Sequence, residues 1–380
     1  MKFLFLQLSL ILFSLPCNEE NNTTPPVKKN QTNSIDESIF NWFYKQQLPN
    51  GLLESVENGN RVSLYDNALA AMVFMLKGDY KRAEKIFDFF DARIHSELKN
   101  GVGGFSQLRN KKGSPSSRRR WMGDNAWLLI ALNNYKDKTG STKYDYLAKK
   151  ISKWLKKLQD KDGGLFSGYD SDDNLITNKV TEGNIDVFNA VKGYTSFHRK
   201  LLRFLEKNRW DSSEKSLISW PTNPKYFYAL DLHPWSYLMF ENYPTNTLKA
   251  AKRFLTTQKT INGIEVTGYC FDTDKDVVWL EGTCQMALAF GVAGMNEEKN
   301  FYLTEIEKTL IKSKNHLNSS GFSYASNHGT TYGGNELWSV AANKIAISSG
   351  AWYLFAKQNF NPFAVGKTKK NKEKDLFWIN

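Results

Sequence analysis

The stretch YDNALAAM, Tyr65 to Met72, has one charge and apolar residues around the whole circumference that a helix would present. A helix of this kind is buried on all sides. It is answered downstream by GDNAWLLI from Gly123, TEGNIDVF from Thr181, ALDLHPWSY from Ala229 and LEGTCQMA from Leu280. Asp66 and Asp124 lie 58 residues apart, Asp124 and Glu182 again 58, and Asp231 and Glu281 follow at intervals of 49 and 50. A long, nearly fixed period marks a repeat architecture.

Each interval holds two helices of different character. YKRAEKIFDFFDARI (Tyr80 to Ile94) and YDYLAKKISKWLKKL (Tyr144 to Leu158) alternate apolar and charged residues at helical spacing, as outer helices with one wet face do. Asn67 to Leu76, Asn125 to Tyr135 and Cys284 to Gly294 are apolar almost throughout. Twelve helices in six hairpins, from Ile35 to about Gln358, close into an all-α (α/α)6 toroid, with the outer ring covering an inner ring that cannot face water. Glycine-aromatic strings precede the inner helices: GLLES at Gly51, GGFSQL at Gly103, GGLFSG at Gly163, GIEVTGY at Gly263 and GFSYAS at Gly321; the sixth, expected between Leu201 and Pro224, is missing or altered. Long loops with short strands therefore gather on one face, and tight turns such as Lys77-Gly78-Asp79 on the other. Function is expected on the loop face.

The ends have their own composition. Residues 1–16 read as a signal peptide with a short basic start and an apolar core too short to span a bilayer. Leu15-Pro16-Cys17 resembles a bacterial lipoprotein signal, in which Cys17 is acylated, and residues 17–34 are a polar, proline-interrupted tether. The toroid spans 35–364, and 365–380, with KTKKNKEK, is expected to be a solvated basic tail. The protein is thus expected to be exported and anchored to a bacterial membrane by lipid, as a monomer.

The whole chain has 380 residues, 24% charged and 14% aromatic, which excludes disorder. Three cysteines exclude a disulfide scaffold, although Cys270 and Cys284 are free to pair. With no CxxC and five scattered histidines, no metal centre and no cofactor are expected; a calcium site in the DSDDN loop, Asp170 to Asn174, is the one alternative. The net charge of +12 is spread along the helices, so no nucleic-acid partner is expected.

The ordered set YDNALAA, GDNAW, TEGNID, W-LEGT-Q and the closing AWYLFAKQNFNPF resembles the six-hairpin glycosidase-like superfamily over residues 36–364. That resemblance implies a sugar-acting enzyme, commonly an inverting hydrolase, and leaves the substrate open. Independently, the repeat sets acids at successive inner-helix starts: Asp66, Asp124, Glu182 with Asp186 one turn on, Asp231 and Glu281. Glycoside hydrolysis needs one protonated and one ionised carboxyl. Glu281 and Glu182, each beside a glycine that leaves room for a ligand, are the expected acid and base in either order. Asp124 and Asp66 would bind hydroxyls or replace one of them, unless they serve as helix caps. Trp121, Trp279, Trp127, Tyr65 and Tyr324 are candidate sugar platforms, with Trp235 and Trp338 beside them. Asp186, Asp231 and His233 are further candidates for substrate contact, and His328 lies in a similar loop setting. Arg118-Arg119-Arg120 is either a solvated cluster or an anion contact. A glycan-binding surface lipoprotein without catalysis, and a lyase or epimerase of uronic acids, are the other readings.

Overall fold

The computed structural model describes residues 34–328, 342–370 and 372–379. Cys17, the tether and Trp338 lie outside the described residues. Among the described residues, twelve helices form the body: α1 (Ile35–Gln46), α2 (Leu64–Leu76), α3 (Tyr80–Asp91), α4 (Met122–Thr139), α5 (Asp145–Lys157), α6 (Thr181–Ala190), α7 (Ser196–Arg209), α8 (Leu232–Met239), α9 (Asn246–Ala250), α10 (Leu280–Val292), α11 (Asn296–Glu307) and α12 (Ile347–Lys357). The inner helices α2, α4, α6, α8, α10 and α12 each pack on the next, and α12 returns to α2, closing the ring. Helices α3, α5, α7, α9, α11 and α1 back them on the outside. The (α/α)6 toroid expected from the repeat is the fold.

The outer helices end close to where their periodicity does, whereas the inner ones begin about three residues earlier than their apolar runs. Ser63 caps α2 by accepting the Asp66 N–H at 3.3 Å. Asp66 and Asp124 are therefore first-turn residues rather than caps, and their carboxyls are left for other work. Asp231 alone among the repeated acids is a cap, accepting from the Leu232 N–H at 2.8 Å.

The orphan N–H groups that begin an inner helix need acceptors, and the neighbouring loop supplies them in turn around the ring. Leu64 donates to Gln107 O, Met122 to Ser167 O, Leu280 to Tyr324 O and Ile347 to Ser55 O. The asparagine of the repeated motif then fixes the preceding loop. Asn67 bonds both the N–H and the C=O of Leu53, Asn125 both of Phe105, and Asn184 both of Leu165. Short strand pairs, such as Arg120–Trp121 with Gly168–Tyr169, lace adjacent loops together on this face. The paired glycines of GGFSQL are required by packing: a Cβ on Gly104 would stand 2.5 Å from the Trp154 ring of α5, and both glycines have positive φ. The segment without a glycine signal continues α7 to Arg209 and then turns through a hairpin of two-residue strands, Trp210–Asp211 against Ser216–Leu217.

The expected solvated tail is a packed strap. Leu376, Phe377 and Trp378 are buried, and Trp378 stacks near Phe240. Lys369 is also buried, its ammonium bonding Asn189 O at 3.0 Å and Val191 O at 2.6 Å at the end of α6. Carbonyls at a helix C-terminus attract a cation, so this lysine docks the segment instead of solvating it. Burial lowers its pKa to about 7. Cys270 and Cys284 are both buried and unpaired with each other.

Candidate active site

The axis of the toroid is plugged by rings from three inner helices and the closing segment. Trp127 of α4 meets Trp235 of α8 at 5.3 Å, Trp352 of α12 at 5.8 Å and Phe363 at 5.0 Å. Trp127, Trp235 and Trp352 are at most 3% exposed. This aromatic floor corrects the expectation that Trp127 and Trp235 line the mouth: they fill the space beneath it.

The acids stand above that floor. Tyr65 packs edge-on to Trp127 at 5.1 Å, receives the Trp352 indole N–H at 2.8 Å and donates its hydroxyl to Glu281 Oε1 at 2.6 Å. Gln285, one turn along α10, donates to the same oxygen at 3.2 Å. Asp124 accepts from Gln107 at 3.1 Å and is held down further by the Arg119 charge and the Tyr65 backbone N–H. Asp66 accepts from Ser55 and Tyr324. Asp186 is fully buried, and neither of its carboxyl oxygens has a hydrogen-bond partner. Gly123 makes room for it, since a Cβ there would lie 3.2 Å from Asp186 Oδ2.

Every one of these carboxyls is harder to ionise than in water. Burial is the largest cause in each case. It takes Asp66 to about 8, and Asp124, Asp231 and Glu281 to about 7. Glu182 is raised well above its ordinary value by burial and then by the charges of Asp231, Asp124 and Glu281. Asp186 is likewise raised by burial and by Glu182, Asp231 and Asp124. Six acids from five inner helices thus feel one another across a single mouth. Glu281, like Asp66, Asp124 and Asp231, has donors that favour the anion. Everything acting on Glu182 favours the acid form.

Other candidates are relocated. His233 points to the outer ring, where Nδ1 lies 2.9 Å from Thr247 O, and burial lowers its pKa to about 3. Trp279 is 6% exposed, and its ring occupies the space of a side chain at Gly282; Met122 does the same at Gly183. The glycines beside Glu281 and Glu182 therefore admit a neighbouring side chain, not a ligand. Tyr324 is nearly buried and acts on Asp66. Trp121 remains half-buried at the mouth, with the Arg119 guanidinium 4.0 Å over its ring. The three arginines divide: Arg118 and Arg120 pair with Asp173 in the next loop, while Arg119 turns to Asp124. The DSDDN turn is closed on itself, Asp170 accepting from Asp172, Asn174 and the Asn174 side chain, so the expected alternative calcium site is a capped turn. His328 is exposed.

Arg119, Gln107 and Gln285 lack a repeated signal that would have set them apart in the sequence. Gln285 had one usable cue, its position one turn after Glu281.

No protein-family model matches the chain, and no curated protein does. Solved structures do. A glycosidase in complex with glucose aligns with a TM-score of 0.61 at 12% identity, over 86% of this chain and 96% of that one. The cellobiose 2-epimerase of Bacillus thermoamylovorans B4167 aligns with a TM-score of 0.58 at 12% identity, over 84% and 96%. That of Spirochaeta thermophila DSM 6192 aligns with a TM-score of 0.59 at 13% identity, over 86% and 94%. The chain has the six-hairpin, glycosidase-like (α/α)6 toroid fold of these structures.

Proposed function

We propose that the protein is a glycoside hydrolase-like enzyme whose mouth cleaves a glycosidic bond in an oligo- or polysaccharide. The observation that carries this is the division of labour between Glu182 and Glu281. Glu182, whose carboxyl burial and three neighbouring acids push well above the usual carboxylate range, is the proton donor to the leaving glycosidic oxygen. Glu281, with the Tyr65 hydroxyl and Gln285 on one oxygen, is the ionised partner that takes a proton from the attacking water. The C–O bond to the leaving sugar breaks as the water oxygen bonds the anomeric carbon, an inverting displacement. Trp121 and Arg119 would hold the sugar face and its polar groups.

A binding lipoprotein has no use for acids held near neutrality, so the raised carboxyls favour an enzyme. Epimerisation is the second reading, supported by the cellobiose 2-epimerases of the same fold. It needs a base beside a C–H adjacent to a carbonyl. The N-terminal reading stands with the proposal: an exported chain with lipid on Cys17, checked by fatty-acid labelling that Cys17→Ser abolishes.

The test is a panel of neutral and uronic-acid oligosaccharides, with melting temperature and products followed together. Binding to the native state raises Tm whether or not chemistry follows. New reducing ends support hydrolysis; an altered sugar of unchanged length supports epimerisation; stabilisation with intact glycan supports the binding protein.

A further inference from the structure

Arg119 lies in the extended stretch that leads into α4, where successive side chains point in opposite directions. Arg118 and Arg120 go one way and pair with Asp173 of the next loop. Arg119 and Trp121 go the other, with the guanidinium carbon 4.0 Å from the Trp121 ring centroid. The backbone that carries Arg119 is held on both sides: its N–H donates to Ser117 Oγ at 3.2 Å, and its C=O accepts from the Gln107 N–H at 2.8 Å. Arg120–Trp121 then pairs with Gly168–Tyr169. The same pair borders the acids. A Cβ on Gly123 would stand 3.2 Å from Asp186 Oδ2, 3.5 Å from Trp121 Cδ1 and 3.6 Å from Trp121 Nε1, so the indole edge and the buried carboxyl meet over one glycine. Gln107, whose backbone binds Arg119, donates its side chain to Asp124.

Unlike its two neighbours, Arg119 has no paired anion. Its Nε is buried without a hydrogen-bond partner. Among the described residues no carboxylate stands within ion-pair distance of the guanidinium, and Asp124 acts on it as a charge from farther off. A partly desolvated guanidinium without an acceptor is costly, and its planar fork of N–H donors fits two oxygens of one anion. A neutral hydroxyl would leave the charge uncompensated. Burial favours the protonated forms of Asp124 and Asp186 beside this pair, which lessens their repulsion of an anion.

We propose that Arg119 and Trp121 form a subsite for an anionic sugar, whose carboxylate or sulfate ester takes the Arg119 fork while the ring lies against the exposed part of the indole. The inference rests on the mouth being a sugar site and narrows its substrate from any oligo- or polysaccharide to an acidic one. It does not depend on whether that sugar is cleaved. Arg119 is thereby the residue that sets specificity, and Arg118 and Arg120 serve the loop.

The probes are oligosaccharides containing glucuronic or galacturonic acid, the same oligosaccharides with each carboxyl reduced to an alcohol, and neutral oligosaccharides with and without an O-sulfate. Binding is titrated near neutral pH, and products are analysed in every sample. The wild type should bind an acidic member about tenfold or more tighter than its neutral counterpart. Arg119→Gln abolishes that preference and still binds the neutral counterpart, Arg119→Lys keeps part of it, and Arg118→Gln keeps all of it. Removing Arg119 also lets Asp124 hold its proton more firmly, which by itself would favour an anion, so the loss reports the guanidinium. Melting curves check that the variants are folded. Whether the uronic acid or the sulfate ester binds more tightly tells which anion is taken. No preference in the wild type, a preference that survives Arg119→Gln, or no acidic oligosaccharide bound overturns the subsite. Arg119-dependent binding without cleavage leaves the subsite standing and overturns hydrolysis; cleavage without acid preference does the reverse.

Discussion

The Tyr65 hydroxyl and Glu281 Oε1, 216 residues apart in sequence, are joined by a 2.6 Å hydrogen bond that spans the mouth from α2 to α10. The same hydroxyl accepts the Trp352 indole N–H, so the base is oriented from the aromatic floor upward. Because this bond favours the charged carboxylate, Tyr65→Phe raises the Glu281 pKa above its value of about 7. The ring and its packing remain. We expect the acidic limb of kcat/KM to move up by about one pH unit, with Tm little changed. A pH profile of the variant checks it; an unmoved limb removes Glu281 from the role of base.

The buried acids make stability depend on pH. The pKa of Asp66 is raised to about 8, so the folded state keeps a proton that the unfolded chain loses near pH 4. The stability associated with that proton is fully present below about pH 4 and is lost as the pH rises to about 8. Asp66→Asn, neutral throughout, should raise stability at pH 8 by about 1–3 kcal/mol and have little effect at pH 4. Thermal unfolding at the two pH values measures it.

Trp127 and Trp121 separate floor from mouth. Trp127→Ala opens a hole among four aromatic rings and is expected to cost about 3–5 kcal/mol. Trp121→Ala, at a half-buried position, should cost less than about 1.5 kcal/mol and act on KM instead. Urea unfolding and substrate titration of both variants distinguish the two.

Asn125→Ala leaves the N–H and C=O of buried Phe105 without partners. A loss of about 2–4 kcal/mol in unfolding free energy is expected. Since Asn67 and Asn184 hold the equivalent groups of Leu53 and Leu165, their alanine variants should fall in the same range.

The ring closure, the inner and outer helices and the acids at the mouth are legible because the repeat writes each of them several times. Asp66, Asp124, Glu182, Asp231 and Glu281 stand at equivalent places, and their neighbours Asn67, Asn125 and Asn184 carry the loop clamp. What the repeat does not encode is which way a side chain turns. Trp127 and Trp121 are both tryptophans near an acid, but one lies inside α4 above Phe363 and the other precedes it. Gly282 and Gly183 suggest space, and the space is taken by Trp279 and Met122. Lys369 carries a charge that suggests solvent, and two helix-end carbonyls hold it inside. Each outcome depends on residues distant in the chain, such as Phe363 and Asn189, that no local pattern names.

The most direct measurement is cleavage of the oligosaccharide that stabilises the protein, by the wild type, Glu182→Gln and Glu281→Gln side by side, following reducing ends and product anomer. The account predicts cleavage with inversion by the wild type. Both variants should bind the sugar, retain their fold and lose about 10²-fold or more in kcat. Cleavage that survives either substitution, or a wild type that binds the sugar and leaves it intact, would contradict it.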